Sequence, residues 1–238
     1  MSANARYYTV RAIKFYLGMC MACAMAGAAM AAPVQGKLPW NPQDKAAGSA
    51  ATRVSESQEM VLRRVEKYLN DIRSLKADFT QIAPDGGMAS GKFFLKRPGK
   101  MRWQYDPPTP VLMLSDGQTL TFYDYELEQV SRVPLDDTLA GFLAQDRISF
   151  DKGLRIVDFR AGAGAVRVSV VQTSKPDDGA LTLEFSDKPL KLRNLILVDS
   201  VGQRTAISLE NAQRGMQFDD ELFEFDDPRG IRKSPIIR

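Results

Sequence analysis

The sequence predicts a mainly β protein of the α+β class, an antiparallel sheet of ten or eleven strands curled into a barrel with two amphipathic helices across its mouth. Three observations predict it. A period of three to four residues in the apolar positions near residue 60 gives way to a period of two from Leu75 onward. Turn chemistry then recurs at short intervals, too short to host the crossovers that parallel strands need. A sheet of that many twisted strands must curl, and its concave face is the apolar surface on which the helical stripes can be buried.

The N-terminal residues read as a targeting signal. Arg6, Arg11 and Lys14 precede an uncharged run over residues 15–31 that ends Ala29-Met30-Ala31, small residues where a signal peptidase needs them. Cleavage is expected near Ala31, giving residues 1–31 as a signal peptide. The run is at the short limit for an uncleaved anchor, and Met19 before Cys20 is a poor neighbour for a lipoprotein signal. Removing three basic and no acidic residues from 32 Lys+Arg leaves 29 against 29 Asp+Glu, so the exported chain is neutral. Its charge points to no nucleic acid or polyanionic surface. Both cysteines, Cys20 and Cys23, leave with the signal, and the sequence holds no histidine. Disulfides, thiol nucleophiles, Ser-His-Asp catalysis and His-ligated metal are thereby excluded from the exported protein. Residues 32–53, with three prolines, Ala and Gly but no apolar period, read as a flexible leader in which Trp40 stands alone, and residues 54–238 as a single domain.

Ser55 and Gln58 match a capping box, and Val61, Leu62, Val65, Tyr68, Leu69 and Ile72 then form one stripe on a helix that ends between Asn70 and Ser74. Strands follow, divided by Pro84-Asp85-Gly86-Gly87, Pro98-Gly99, Asp106-Pro107-Pro108, Asp116-Gly117, residues 158–164 and 175–179, Asp187-Lys188-Pro189 and Ser200-Val201-Gly202. A second helix is expected over residues 134–144, with Pro134 in its first turn and Leu135, Leu139, Phe142 and Leu143 along one side. Six strands precede it and five follow.

No catalytic motif emerges. The acidic groups Asp136-Asp137, Asp177-Asp178, Asp219-Asp220-Glu221 and Asp226-Asp227 lack calcium-loop spacing and sit where turns and helix starts take Asp. The Gly162 and Gly164 pair has no following helix or Lys to make a phosphate cradle, and reads as a hairpin. The segment over residues 91–105 interleaves Lys92, Lys96, Arg97, Lys100 and Arg102 with Phe93, Phe94, Trp103 and Tyr105, a pattern that single-stranded nucleic-acid platforms also use. In a neutral exported chain it reads instead as a hairpin with Phe93, Leu95 and Arg97 on one face and Met101, Trp103 and Tyr105 facing likewise on its partner strand. Arg97 is the exception, a cation in phase with apolar residues.

SLKADFTQ (residues 74–81), GKFFLKRPGKMRWQYDPP (91–108), LSDGQTLTFYD (114–124) and FEFDDPRG (223–230) together resemble the LolA family, periplasmic carriers of outer-membrane lipoproteins. The resemblance runs from about Ser55 to Gly230. It implies an unclosed antiparallel barrel with a helical lid over an apolar cavity, no cofactor, no enzymatic activity, a monomeric periplasmic protein, acylated lipoproteins as cargo, and the inner-membrane Lol ABC transporter and an outer-membrane acceptor as partners. It also implies that Arg97 locks the lid, and that Met101, where the family often has Phe, meets the transporter together with Trp103. Candidate acyl-chain residues are Phe93 and Leu95, Leu112 and Leu114, Leu120 and Phe122, with Leu135, Leu139 and Phe142 from the second helix. A solid core would account for each of these equally. Two other readings stand beside the carrier: a lipid- or lipoprotein-sensing protein on the same scaffold, and a secreted hydrolase using paired carboxylates.

Overall fold

A computed structural model describes residues 56–228. The signal, the leader with Trp40, Ser55 of the capping box and the last residues of the 223–230 motif lie outside the described residues.

Helix α1 (Glu56–Asn70) buries the stripe expected of it: Val65 and Leu69 are fully enclosed and Leu62 nearly so, while Arg63, Arg64 and Lys67 face water. Its exposed side carries the pairs Glu59–Arg63 and Lys67–Asp71, four residues apart, and Arg64 reaches Asp187. Such exposed pairs contribute little, so the helix is held by its apolar face.

Eleven strands follow: β1 (Ser74–Ile82), β2 (Met88–Lys96), β3 (Lys100–Tyr105), β4 (Val111–Asp116), β5 (Thr119–Asp124), β6 (Gln129–Pro134), β7 (Leu154–Gly162), β8 (Ala165–Gln172), β9 (Gly179–Ser186), β10 (Lys191–Asp199) and β11 (Arg204–Arg214). They form one antiparallel sheet in the order β6-β5-β4-β3-β2-β1-β11-β10-β9-β8-β7. The first and last strands pair in the middle, and the sheet does not close, because β6 and β7 are its two edges. Several turns form as their aspartates direct. Asp116 Oδ1 accepts from the amides of Gln118 and Thr119, Asp124 Oδ1 from Glu126 and Leu127, and Asp199 Oδ1 from Val201 and Gln203. The 162–165 segment is a hairpin between β7 and β8.

The helix expected over residues 134–144 is divided. Pro134 ends β6, Leu135–Asp137 make one 3-10 turn, and the α-helix α2 runs only over Leu139–Ala144. Thr138 causes the break. Its backbone is extended, with φ −117° and ψ 146°. Its Oγ1 donates to the Leu135 carbonyl at 2.8 Å and accepts from the Gly141 amide at 3.0 Å, capping the second helix at a cost to continuity with the first turn. The Leu135 amide is committed to Gln118 O in the β4–β5 turn.

The main core lies between the concave face of the sheet and the helices. Residues paired across strands share a face, so Leu95, Met101 and Leu120 form one row and Phe93, Trp103, Met113 and Phe122 the next. Leu183, Val168, Leu195 and Ile207 continue the surface on the other half. The convex face of β2–β5 is covered by residues 217–225, which include a 3-10 turn at Asp220–Phe223. Phe218 packs edge-on against Phe94, Lys96 Nζ donates to Phe218 O, Arg102 Nη1 donates to Leu222 O, and Phe225 closes over Tyr123.

Candidate functional site

The loop joining β2 to β3 places Arg97 at the concave rim, with Leu95 immediately before it in phase. Arg97 is 7% exposed. Its guanidinium donates from Nη1 to Leu69 O at 2.5 Å, and from Nε and Nη2 to Leu143 O at 3.1 and 2.9 Å. Leu69 is in the last turn of α1 and Leu143 in the last turn of α2, where carbonyls lack helical partners and carry partial negative charge. One side chain from the β2–β3 loop thus grips the C-terminal ends of both helices. Burial, and then the nearby Arg73 charge, push the Arg97 pKa down to about 10, with Asp146 opposing, so the group stays a cation at neutral pH.

Further contacts surround this grip. Gly99, two residues on, donates its amide to Ala144 O at 2.7 Å. It adopts φ +77°, and a Cβ there would sit 2.5 Å from Gly117 Cα, so only glycine lets the β2–β3 and β4–β5 turns touch. The helical elements are also laced to each other. Asn70 exchanges two hydrogen bonds with the Ile148 backbone, Glu66 Oε1 accepts from the Phe150 amide at 2.6 Å, and Arg73 donates to the carbonyl and the carboxylate of Asp146. Outside the junction, a cleft of about 320 Å³ opens between Pro98, Gly117, Leu135 and Arg147.

Beneath the junction the concave surface is apolar and filled by side chains. Phe93, Leu95, Leu120, Leu135 and Phe142 are buried in the main core, and Phe122 and Leu139 pack against it half-buried. Leu112 and Leu114, expected with this set, are not part of it. They point to the convex face and pack with Tyr123, Val130 and Phe225 under the C-terminal segment. Strand β4 is buried on both faces, so its residues show no alternation from which the concave side could be read. Met101 and Trp103, expected at a partner contact, are buried too, at 0% and 4% exposure. In this state they belong to the core, and a partner reaches neither side chain without displacing what covers them.

The carboxylate groups lie apart from this surface. Asp136-Asp137 and Asp177-Asp178 occupy 3-10 turns, where Lys175 pairs with Asp137, and Asp220 holds Lys96 and Lys100. The Lys96–Asp220 grip and the two lacing residues Asn70 and Glu66 carry no sequence signal, since a polar side chain whose partner lies far along the chain leaves no periodic trace.

The sequence matches the family described as outer membrane lipoprotein carrier protein LolA over residues 70–226. It is 30% identical over 185 residues to an outer-membrane lipoprotein carrier protein of Methylococcus capsulatus, covering 74% of this chain and 88% of that protein. A protein of the same description from Azotobacter vinelandii is 32% identical over 185 residues, with the same shares of 74% and 88%. Among solved structures, a LolA superfamily protein of Nitrosomonas europaea aligns with a TM-score of 0.41 and 12% identity, covering 69% of this chain and 97% of that one.

Proposed function

From the premise that this chain belongs to the LolA family, we propose that it is a periplasmic carrier, shielding the acyl chains of lipoproteins and conveying them from the inner to the outer membrane. It would receive cargo from the inner-membrane Lol ABC transporter and pass it to an outer-membrane acceptor, with no reaction catalysed. The observation that carries this reading is Arg97. A permanent cation at the rim of an apolar concave face binds only main-chain carbonyls of the two helices that cover that face. Its bonds therefore stabilise the covered state and are lost when the helices lift.

The energetics suit a carrier that must also let go. Burial of acyl chain contributes about 0.8 kcal/mol per CH₂, so one chain binds only marginally. Roughly forty methylenes fully buried would give about 30 kcal/mol, past the practical limit of noncovalent affinity, and cargo held so tightly would not be delivered. A lid whose closure competes with the ligand lowers apparent affinity by the closing energy and returns that energy on release.

Expression in a Gram-negative host, purification from the periplasm and mass spectrometry of bound material test the reading. Acylated N-terminal peptides of lipoproteins should accompany the wild-type protein. Protein recovered free of any acylated peptide while the host's own carrier is depleted would overturn it.

A further inference from the structure

Among the described residues, one buried side-chain polar atom lacks a hydrogen-bond partner: Trp103 Nε1. The neighbouring buried polar side chains are satisfied. Gln81 accepts from Tyr105 Oη at 2.7 Å, and Ser115 Oγ accepts from the Gly117 amide at 3.2 Å. Trp103 stands on the concave face, 4% exposed, in the cluster that includes Leu62, Val65 and Leu69 of α1. Its ring is fixed by Phe93, stacked at 4.1 Å across the strand pair, and by Phe79, edge-on at 5.1 Å. A phenylalanine would make the same aromatic contacts without burying an indole N–H away from water, and an unpaired buried donor carries a desolvation penalty that a well-packed core avoids. A donor retained there at a cost to the closed state has an acceptor to gain in another state.

We propose that Trp103 Nε1–H donates to an acyl carbonyl of the bound lipid anchor. This rests on the carrier reading above and deepens it by naming the part of the ligand that is recognised. An acyl chain entering the concave space offers methylenes, which any apolar surface accepts, and one good acceptor, the carbonyl where the chain joins its headgroup. That carbonyl loses its water on entry just as the indole already has, so pairing the two relieves both penalties. The clamped ring fixes the direction of the N–H and so the depth at which the carbonyl rests, with the chain running on over the face shared by Phe93, Met113 and Phe122. The same bond separates acylated anchors from alkyl tails of equal length, which fill the space but leave the donor unpaired. Ester and amide carbonyls supply the same chemistry, and both occur on such anchors.

The test uses two matched pairs of synthetic lipopeptides on an S-glyceryl cysteine: a dipalmitoyl diester against the dihexadecyl diether, and the diether carrying an N-palmitoyl amide against the diether carrying an N-hexadecyl group. The whole wild-type protein should bind the carbonyl-bearing member of at least one pair roughly fivefold more tightly than its carbonyl-free partner, the effect of one neutral hydrogen bond. In ¹⁵N-tryptophan protein, with the Trp40 signal assigned through Trp40→Phe, the Trp103 indole proton should move downfield with that carbonyl-bearing probe and not with its carbonyl-free partner. Trp103→Phe should bind the two members of each pair equally. Whichever carbonyl gives the preference identifies the one recognised. Equal affinities within both pairs in wild type with an unmoved indole proton overturn the inference and leave the carrier reading intact, whereas no binding of any probe overturns both. The wild-type arms decide the matter even if Trp103→Phe fails to fold.

Discussion

Asn70 and Ile148 are joined as two neighbouring β residues would be: the Asn70 side-chain amide donates to Ile148 O at 2.9 Å while its oxygen accepts from the Ile148 amide at 2.8 Å. The last residue of α1 thus holds the segment that follows α2, and the two covering elements are tied together independently of Arg97. Replacing Asn70 by Ala leaves both backbone groups of a residue only 1% exposed without partners. We expect a loss of about 2 kcal/mol in urea denaturation and faster hydrogen exchange at the Ile148 amide. Asn70→Asp, which keeps the acceptor and loses the donor, should fall between. Unchanged exchange at Ile148 would show that the two elements are not coupled through this pair.

Arg97→Leu removes the bonds to Leu69 O and Leu143 O and with them the competition against ligand. The variant should bind a fluorescent acyl probe at least as tightly as wild type and release it to acceptor vesicles more slowly. Arg97→Lys, a point charge without the planar fork, should be intermediate. Weaker binding with unchanged release would make Arg97 a ligand contact or core support.

The two faces of β4 and β5 separate stability from binding. Leu114, 2% exposed on the convex side, should cost about 3 kcal/mol when cut to Ala, with acyl-probe affinity per folded molecule unchanged. Phe122→Asp, on the concave side, places a carboxylate among acyl chains and should abolish probe binding in protein that still folds. A loss of affinity in Leu114→Ala measured well below its melting temperature would place Leu114 in the binding surface after all.

Asp220 ties the C-terminal segment to the β2–β3 hairpin through Lys96 at 2.6 Å and Lys100 at 2.8 Å. Hydrogen bonds from Lys100 and then Lys96 hold its pKa down at about 2, against 3.8 when free. A carboxylate depressed on folding contributes stability above its unfolded pKa and loses it as pH falls through the folded one. Wild type should therefore exceed Asp220→Asn in urea midpoint at pH 5, the gap narrowing below about pH 4 and vanishing near pH 2. A constant gap across this range would assign the difference to some cause other than the charge.

Much of this architecture is legible in the sequence. The stripe of α1, the alternation in β2 and β3 and the turn aspartates reported local preferences that tertiary packing did not override. Arg97 could be singled out because a cation in phase with Phe93 and Leu95 contradicts its surroundings unless something satisfies it. What the sequence did not reveal has physical reasons. Leu135, Leu139, Phe142 and Leu143 have helical spacing whether or not the helix is continuous, and the Thr138 cap that divides it is invisible to a hydrophobic period. The alternation that would separate Leu112 and Leu114 from the concave set is absent, because β4 is covered on both sides, by the main core and by residues 217–225. That covering segment contains Phe218, Phe223 and Phe225 among acidic residues with no regular period, so its path over the convex face could not be read from it.

Because β1 and β11 meet in the middle of the sheet, its two unpaired edges belong to strands consecutive in the chain, and the segment between them carries α2. The wall is therefore one unbroken ribbon of strands, and the strap that joins its two free edges is itself part of the cover. Parting those edges breaks no rung of the sheet. It is resisted by the bending of a twisted ribbon of strands, by the carbonyl bonds of Arg97, by the ties of Asn70 and Glu66 to the strap, and by the apolar packing beneath it. On the carrier reading proposed above, such a sheet has an adjustable girth, and its load is limited by the work of gaping and not by the volume of a preformed hole.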